Sequence, residues 1–174
     1  MVLMPNYRRI RKPGGTYFFT LVTHARRPVF KNGEARLSLQ RIMDETQSRY
    51  PFHIETMVLL HDHLHSIWTL PEGDYDYSKR WRIIKGSFTH WYRKMGFDGR
   101  IWQNRFWEHT IRDDKDFARH FDYIHYNPVK HALVNRPAKW EFSTFHKYFA
   151  KGWYSDEWGS VEPENLKNMK CVGE

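Results

Sequence analysis

The chain has 174 residues, a formal net charge of +8 and an aromatic content of 17%. This length predicts one domain, residues 1–159, followed by a polar, loosely ordered tail, residues 160–174. The single cysteine excludes an internal disulfide, and we find neither a leader peptide nor an apolar run of roughly 18 residues that could span a membrane. We therefore expect a cytoplasmic protein without membrane association, whose positive charge favours a polyanionic partner.

Hydrophobic periodicity divides the chain into alternating strands and helices. The predicted elements, in chain order, are a strand over 16–23, a helix over 34–49, strands over 53–60 and 63–70, a helix over 77–95, a strand over 100–111 and a helix over 113–127. The two middle strands are joined so closely at His61-Asp62 that they predict an antiparallel hairpin. Pro128 is expected to end the last helix.

The order of these elements is β-α-β-β-α-β-α. It predicts the α+β class and a ferredoxin-like (RRM-like) fold, in which helices pack on an antiparallel sheet. The last helix is an addition to that core. The same fold carries many RNA-binding domains, so it does not decide the function.

His63 and His65 form a possible metal-binding pair on the third strand. Residues two apart in a strand point to the same face, so both imidazoles should project together while Leu64 enters the opposite layer. Two neutral imidazoles at this spacing can share one divalent metal. The alternative is a pair of ordinary hydrogen-bonded histidines, since the chain has eleven.

Tyr123 and Asn127 are four residues apart and share one face of the last helix. A tyrosine oxygen can attack a phosphodiester, and an amide oxygen can help two imidazoles to hold a metal. Tyr126 is a competing nucleophile, but it lies on another side of the helix. The alternative for Tyr123 is a half-buried packing residue.

Clustered basic residues are the candidates for contacts with DNA phosphates. They lie near the N-terminus, on the second helix and on the last helix. The predicted DNA-binding residues are Arg8, Arg9, Arg11, Lys12, Arg82, Lys85, Arg119 and Lys130. For the charged face of the second helix, a merely solvated surface is an equally good interpretation.

Together these motifs resemble those of the single-tyrosine HUH transposases of the IS200-like group. More narrowly, the chain is similar to the REP-associated tyrosine transposases, which are linked to repetitive extragenic palindromes (REPs). The resemblance covers most of residues 5–159. The stretches that carry it are 11–20, 62–65, 102–109, 123–131 and 152–154. His61 is a departure, because relatives commonly have proline there.

The resemblance implies a metal-dependent endonuclease that cuts and rejoins single-stranded DNA. His63, His65 and Asn127 would hold Mg²⁺ or Mn²⁺, and Tyr123 would form a 5′-phosphotyrosine link and leave a 3′ hydroxyl. The substrate would be a REP-type hairpin with a short recognition sequence on its 5′ side. The protein would act as a monomer or homodimer in the bacterial cytoplasm, at the nucleoid.

Three alternatives remain open from the sequence. The chain could be a non-catalytic, hairpin-binding protein with an RRM-like fold. It could be a metal hydrolase that activates water at the histidine pair. A replication initiator or plasmid relaxase would use similar chemistry, but the chain has no helicase-like region.

Overall fold

The structure is a computed structural model that describes residues 11–167, 169 and 173. Arg8, Arg9 and Cys171 lie outside the described residues. The strands and helices follow the predicted order as far as α3, and a short helix follows. They are β1 (Thr16–Val22), α1 (Gly33–Arg49), β2 (His53–Leu59), β3 (His63–Thr69), α2 (Tyr77–Lys94), β4 (Trp107–Thr110), α3 (Asp114–Lys130) and α4 (Phe145–Ala150).

The four strands form one antiparallel sheet in the order β2-β3-β1-β4. Helices α1 and α2 pack on one face of this sheet, and α3 packs on the other. Alternate residues of β3 therefore enter different layers: Leu64 and Trp68 face α1 and α2, whereas Ile67 faces α3. This arrangement confirms the α+β, ferredoxin-like fold.

Aromatic side chains dominate the layer between the sheet and α2. Trp81 of α2 is fully buried and stacks on Trp68 of β3, with ring centroids 4.0 Å apart. Ile84 and Phe88 continue the same buried stripe of α2. Burial of this apolar face, rather than helix propensity, is what stabilises a helix of this composition.

The fourth strand is shorter than predicted. The sequence predicts a strand over 100–111, but the continuous ladder with β1 covers only Trp107–Thr110. Upstream, Trp102 makes a single bridge with Thr23 and its side chain is buried beside α1 and α2. Backbone hydrogen bonds also join this stretch to the end of β1, from His24 N to Ile101 O at 2.6 Å and from Gln103 N to Val22 O at 3.0 Å. The predicted strand is therefore interrupted before Trp107.

Pro128 does not end α3, as the sequence predicts, because the helix continues to Lys130. Proline removes one N–H donor, but the following turn still forms: His131 N donates to Asn127 O at 3.1 Å, and Leu133 N donates to Pro128 O at 3.0 Å. As a result, Asn127 and Lys130 stay on the same helix as Tyr123.

The segment after α3 packs over β2 and α3. Trp140 Nε1 donates to Leu59 O at 3.0 Å, and Leu166 is buried in the α3 layer. Leu166 belongs to the predicted tail, so part of that segment contributes to the core. The division at residue 159 stays a prediction. None of the helices in the described part of the chain is long and apolar enough to cross a membrane.

Candidate active site

The histidine pair of β3 lies on the face of the sheet that α3 covers. His63 and His65 are 1% and 0% exposed, and their ring centroids are 5.0 Å apart. Leu64, between them, is buried in the opposite layer. The structure therefore places the two imidazoles side by side inside the protein.

Each imidazole has a hydrogen-bonding partner that orients its ring. His63 Nδ1 donates to Asp62 Oδ1 at 2.6 Å, and His65 Nδ1 shares a hydrogen bond of 2.8 Å with Thr20 Oγ1, its cross-strand neighbour on β1. Burial raises the pKa of Asp62, but the hydrogen bond from His63 and the charge of Arg26 outweigh it and lower the pKa overall. An ionised Asp62 fixes the proton of His63 on Nδ1.

Helix α3 brings the tyrosine to the histidines. It begins at Asp113, whose side chain accepts from Asp116 N at 2.8 Å, as the sequence predicts. The ring centroid of Tyr123 lies 5.4 Å from that of His65, within one chain. Tyr123 is 5% exposed, and Asn127, one turn further on, is fully buried. The geometry thus gathers a phenol and two imidazoles, with an amide on the adjoining turn.

Lys130 is exposed, but its ammonium group is part of this site. Its ammonium Nζ donates to Tyr123 Oη at 2.7 Å and lies 4.7 Å from the centre of the tyrosine ring. The two residues are seven apart, or two helical turns, so both face the same side. The sequence predicts a DNA contact for Lys130; the structure adds a direct contact with the candidate nucleophile.

A third histidine extends the helix face of Tyr123 and Asn127. His131 is four residues beyond Asn127, and its ring centroid lies 4.9 Å from that of His63. His131 lies beyond Pro128, where the sequence predicts the end of the helix, so the predicted site does not include it. The continued spacing of four residues is the signal that could have found it.

The other predicted DNA-binding residues lie on the surface. Arg11, Arg82 and Lys85 line one groove with Asn104 and Phe106. Lys12 and Arg119 are exposed, and Arg8 and Arg9 lie outside the described residues. Lys79 and Asp76 also line this groove. A groove that combines four basic side chains and one carboxylate with an aromatic ring suits a nucleic-acid backbone and an unstacked base.

A separate group of potential metal ligands lies where β4 meets the start of α3. The ligand atoms of His109, Asp116 and His120 all lie within 4.8 Å of one another. Burial raises the pKa of Asp116, but hydrogen bonds from His109 and Arg112 reverse this and lower the pKa to about 2. These three residues are not among the site residues that the sequence predicts. The one sequence signal is the spacing of four residues between Asp116 and His120, which places these two side chains close together on a helix.

Comparison with known proteins gives a consistent result. Residues 13–127 match the family model described as "Transposase IS200 like". A REP-associated tyrosine transposase of Escherichia coli K12 is 46% identical over 155 residues, which cover 89% of this chain and 91% of that protein. A Haemophilus influenzae protein is 39% identical over 178 aligned positions, covering 94% of this chain and 98% of the relative.

A solved structure agrees with the sequence matches. It is a REP-associated tyrosine transposase bound to a REP hairpin, which is 43% identical, covers 98% of both chains and has a TM-score of 0.86. These matches span the sheet, the histidine pair and α3. The chain therefore belongs to the IS200-like transposases, and within them to the REP-associated tyrosine transposases.

Proposed function

We propose that this chain cuts and rejoins single-stranded DNA at REP-type hairpins through a covalent 5′-phosphotyrosine at Tyr123. The observation that carries the proposal is the position of Tyr123: its ring lies 5.4 Å from that of His65, and its oxygen accepts a hydrogen bond of 2.7 Å from Lys130. A nucleophile, a cation and two potential metal ligands therefore meet in one chain.

Tyr123 suits the nucleophile role better than Tyr126. Burial and the nearby charge of Glu162 raise the pKa of Tyr126, which makes its phenolate less accessible. Lys130 instead places a positive charge against the oxygen of Tyr123. A cation at this distance stabilises the negative charge of an attacking phenolate.

The residues around His63 and His65 fit Mg²⁺ or Mn²⁺ with Asn127 as a third ligand. Asp62 behind His63 and Thr20 behind His65 are partners of the kind that orient metal-binding imidazoles. His63, His65 and Asn127 are all neutral side chains. When bound, the metal ion would neutralise charge on the scissile phosphate and align it for attack.

The reaction that we propose balances without a further reactant. Tyr123 Oη attacks the scissile phosphorus, the bond to the 3′ oxygen breaks, and a free 3′ hydroxyl remains. The 5′ phosphate is then joined to the tyrosine. Attack of another 3′ hydroxyl on this link rejoins DNA and restores the phenol, which Lys130 would again hold.

For the substrate we propose a single-stranded REP-like hairpin with a short recognition sequence on its 5′ side. The solved relative is bound to a REP hairpin. In this chain, Arg11, Arg82 and Lys85 could bind the backbone along their shared groove, while Phe106 offers a ring for stacking. We expect the protein to act in the bacterial cytoplasm, at the nucleoid.

The test is adduct formation between the full chain and a hairpin oligonucleotide with a 5′ tail, in Mn²⁺. We expect a protein–DNA species that survives denaturing electrophoresis and that Tyr123→Phe abolishes. Tyr126→Phe is the matched control, because it removes a neighbouring hydroxyl from the same helix, and it should retain the adduct. An undiminished adduct in Tyr123→Phe would refute the proposal.

A further inference from the structure

The group His109, Asp116 and His120 has the donor set of a divalent-metal site. His109 Nε2 lies 2.8 Å from Asp116 Oδ2, and His120 Nδ1 lies 3.2 Å from Asp116 Oδ1. His120 Nδ1 also donates a hydrogen bond of 2.9 Å to the backbone oxygen of Asp116, so its proton must move to Nε2 before Nδ1 can bind an ion. Two ligand atoms about 2.0–2.2 Å from one ion are about 2.8–3.6 Å apart when the angle between them is about 90–110°, and both histidine–aspartate distances lie in this range. Two imidazoles and one carboxylate also leave coordination positions open for water.

The surroundings support this group as a built site. Asp116 and His120 have side chains that are both 7% exposed, whereas His109 is 24% exposed and gives access from solvent. Arg112 N donates to Asp116 Oδ2 at 3.0 Å, which orients the carboxylate from behind. Since the imidazole rings are now stacked, with centroids 4.7 Å apart, one must tilt to bind an ion, and the more exposed His109 can do so.

One side chain competes with a cation. Arg112 Nε donates to Asp116 Oδ2 at 3.2 Å. The Arg112 side chain is 73% exposed, so it can swing into solvent at little cost. The Arg112 guanidinium is therefore hydrogen-bonded to the Asp116 carboxylate in the absence of a metal, and a bound ion would displace it.

We propose that His109, Asp116 and His120 form a second metal site, for a zinc-class divalent ion, which joins β4 to the first turns of α3. It is distinct from the histidine pair but close to it: the ring of Phe18 lies 4.8 Å from that of His120 and 5.5 Å from that of His65. An ion at this site would fix the part of α3 that leads to Tyr123. This proposal does not depend on the catalytic role of Tyr123.

The experiment is a titration of the metal-free full chain with Co²⁺, read by the visible absorption of the bound ion, and with Zn²⁺, read by calorimetry. The wild type should bind two equivalents. His109→Gln should lose one of them, with binding at that site roughly 100-fold weaker or more. The double variant His63→Ala/His65→Ala should lose the other and keep the site at His109.

Thermal melting provides a readout that is independent of activity. Zn²⁺ at about 100 times its Kd should raise the Tm of the wild type and of the double variant by roughly 5–10 °C through the second site. His109→Gln should lose this part of the rise and keep only the part that the histidine pair contributes. The proposal would be overturned if His109→Gln bound as many equivalents as the wild type and showed the same Tm response. It would also be overturned if the wild type bound one equivalent and the double variant bound none.

Two outcomes separate this proposal from the proposed function. A single equivalent that His109→Gln abolishes and the double variant retains would support the second site while removing support for the catalytic metal pair. If His109→Gln does not fold, the metal affinity of Arg112→Ala tests the second site instead. It removes the competing cation and leaves the backbone donor, so it should tighten binding about 10-fold; unchanged affinity would count against the site.

Discussion

Acid should destabilise this protein through His125, which lies on α3 between Tyr123 and Asn127 in sequence. His125 is fully buried, and its Nε2 lies 2.9 Å from Thr56 Oγ1 and 3.0 Å from Thr144 Oγ1. Tyr154 donates its own proton to Asp122, so its oxygen accepts from His125 Nδ1 at 3.0 Å. Both ring nitrogens of neutral His125 therefore have hydrogen-bond partners.

Burial, with a smaller effect from His146, lowers the pKa of His125 from 6.5 to about 3. The unfolded chain therefore takes up this proton first as the pH falls. The stability contributed by neutral His125 is complete above pH 6.5 and is lost as the pH falls from there towards 3. Between pH 7 and pH 5 the loss is about 2 kcal/mol, a large part of the roughly 5–15 kcal/mol of a typical domain.

Urea unfolding at pH 7 and pH 5 measures this loss. His125→Gln should be less stable than the wild type at pH 7, because the hydroxyls of Thr56 and Thr144 lose their partner. Between the two pH values, however, it should lose about 2 kcal/mol less than the wild type. His53→Gln is the matched control, since the side chain of His53 is 63% exposed. Equal acid losses in the wild type and His125→Gln would refute the reasoning.

Three further predictions concern the site and the core. Lys130→Met should slow adduct formation by Tyr123 about 100-fold in single-turnover assays, because a charged donor to the nucleophile is lost, while Lys130→Arg should retain more activity; equal rates in Lys130→Met and the wild type would contradict this. Asp62→Asn should weaken Mn²⁺ binding about 10- to 100-fold in calorimetry, since it no longer fixes His63; unchanged affinity would exclude this role. Trp81→Ala should lower the free energy of unfolding by about 3–5 kcal/mol in urea, and a loss below about 1 kcal/mol would show that its stacking matters little.

Local patterns in the sequence were sufficient to predict most of the fold. Alternation and helical spacing depend on neighbouring residues, so the first three strands, the hairpin and the helix start at Asp113 are as expected. The predictions fail where contacts between residues far apart in the chain decide the local structure. Pro128 stays within α3 because the turn after it is completed, and the strand ladder breaks between Trp102 and Trp107, where the side chain of Trp102 packs in the layer of α1 and α2.

The sequence by itself determined which side chains can carry the chemistry. Strand parity pairs His63 with His65, and helical spacing pairs Tyr123 with Asn127. Only the tertiary structure decided what surrounds them: Thr20 behind His65, Lys130 against the oxygen of Tyr123, and the separate group of His109, Asp116 and His120. The physical reason is that register and helix packing join residues far apart in the chain, and these contacts depend on the whole core and not on any local period.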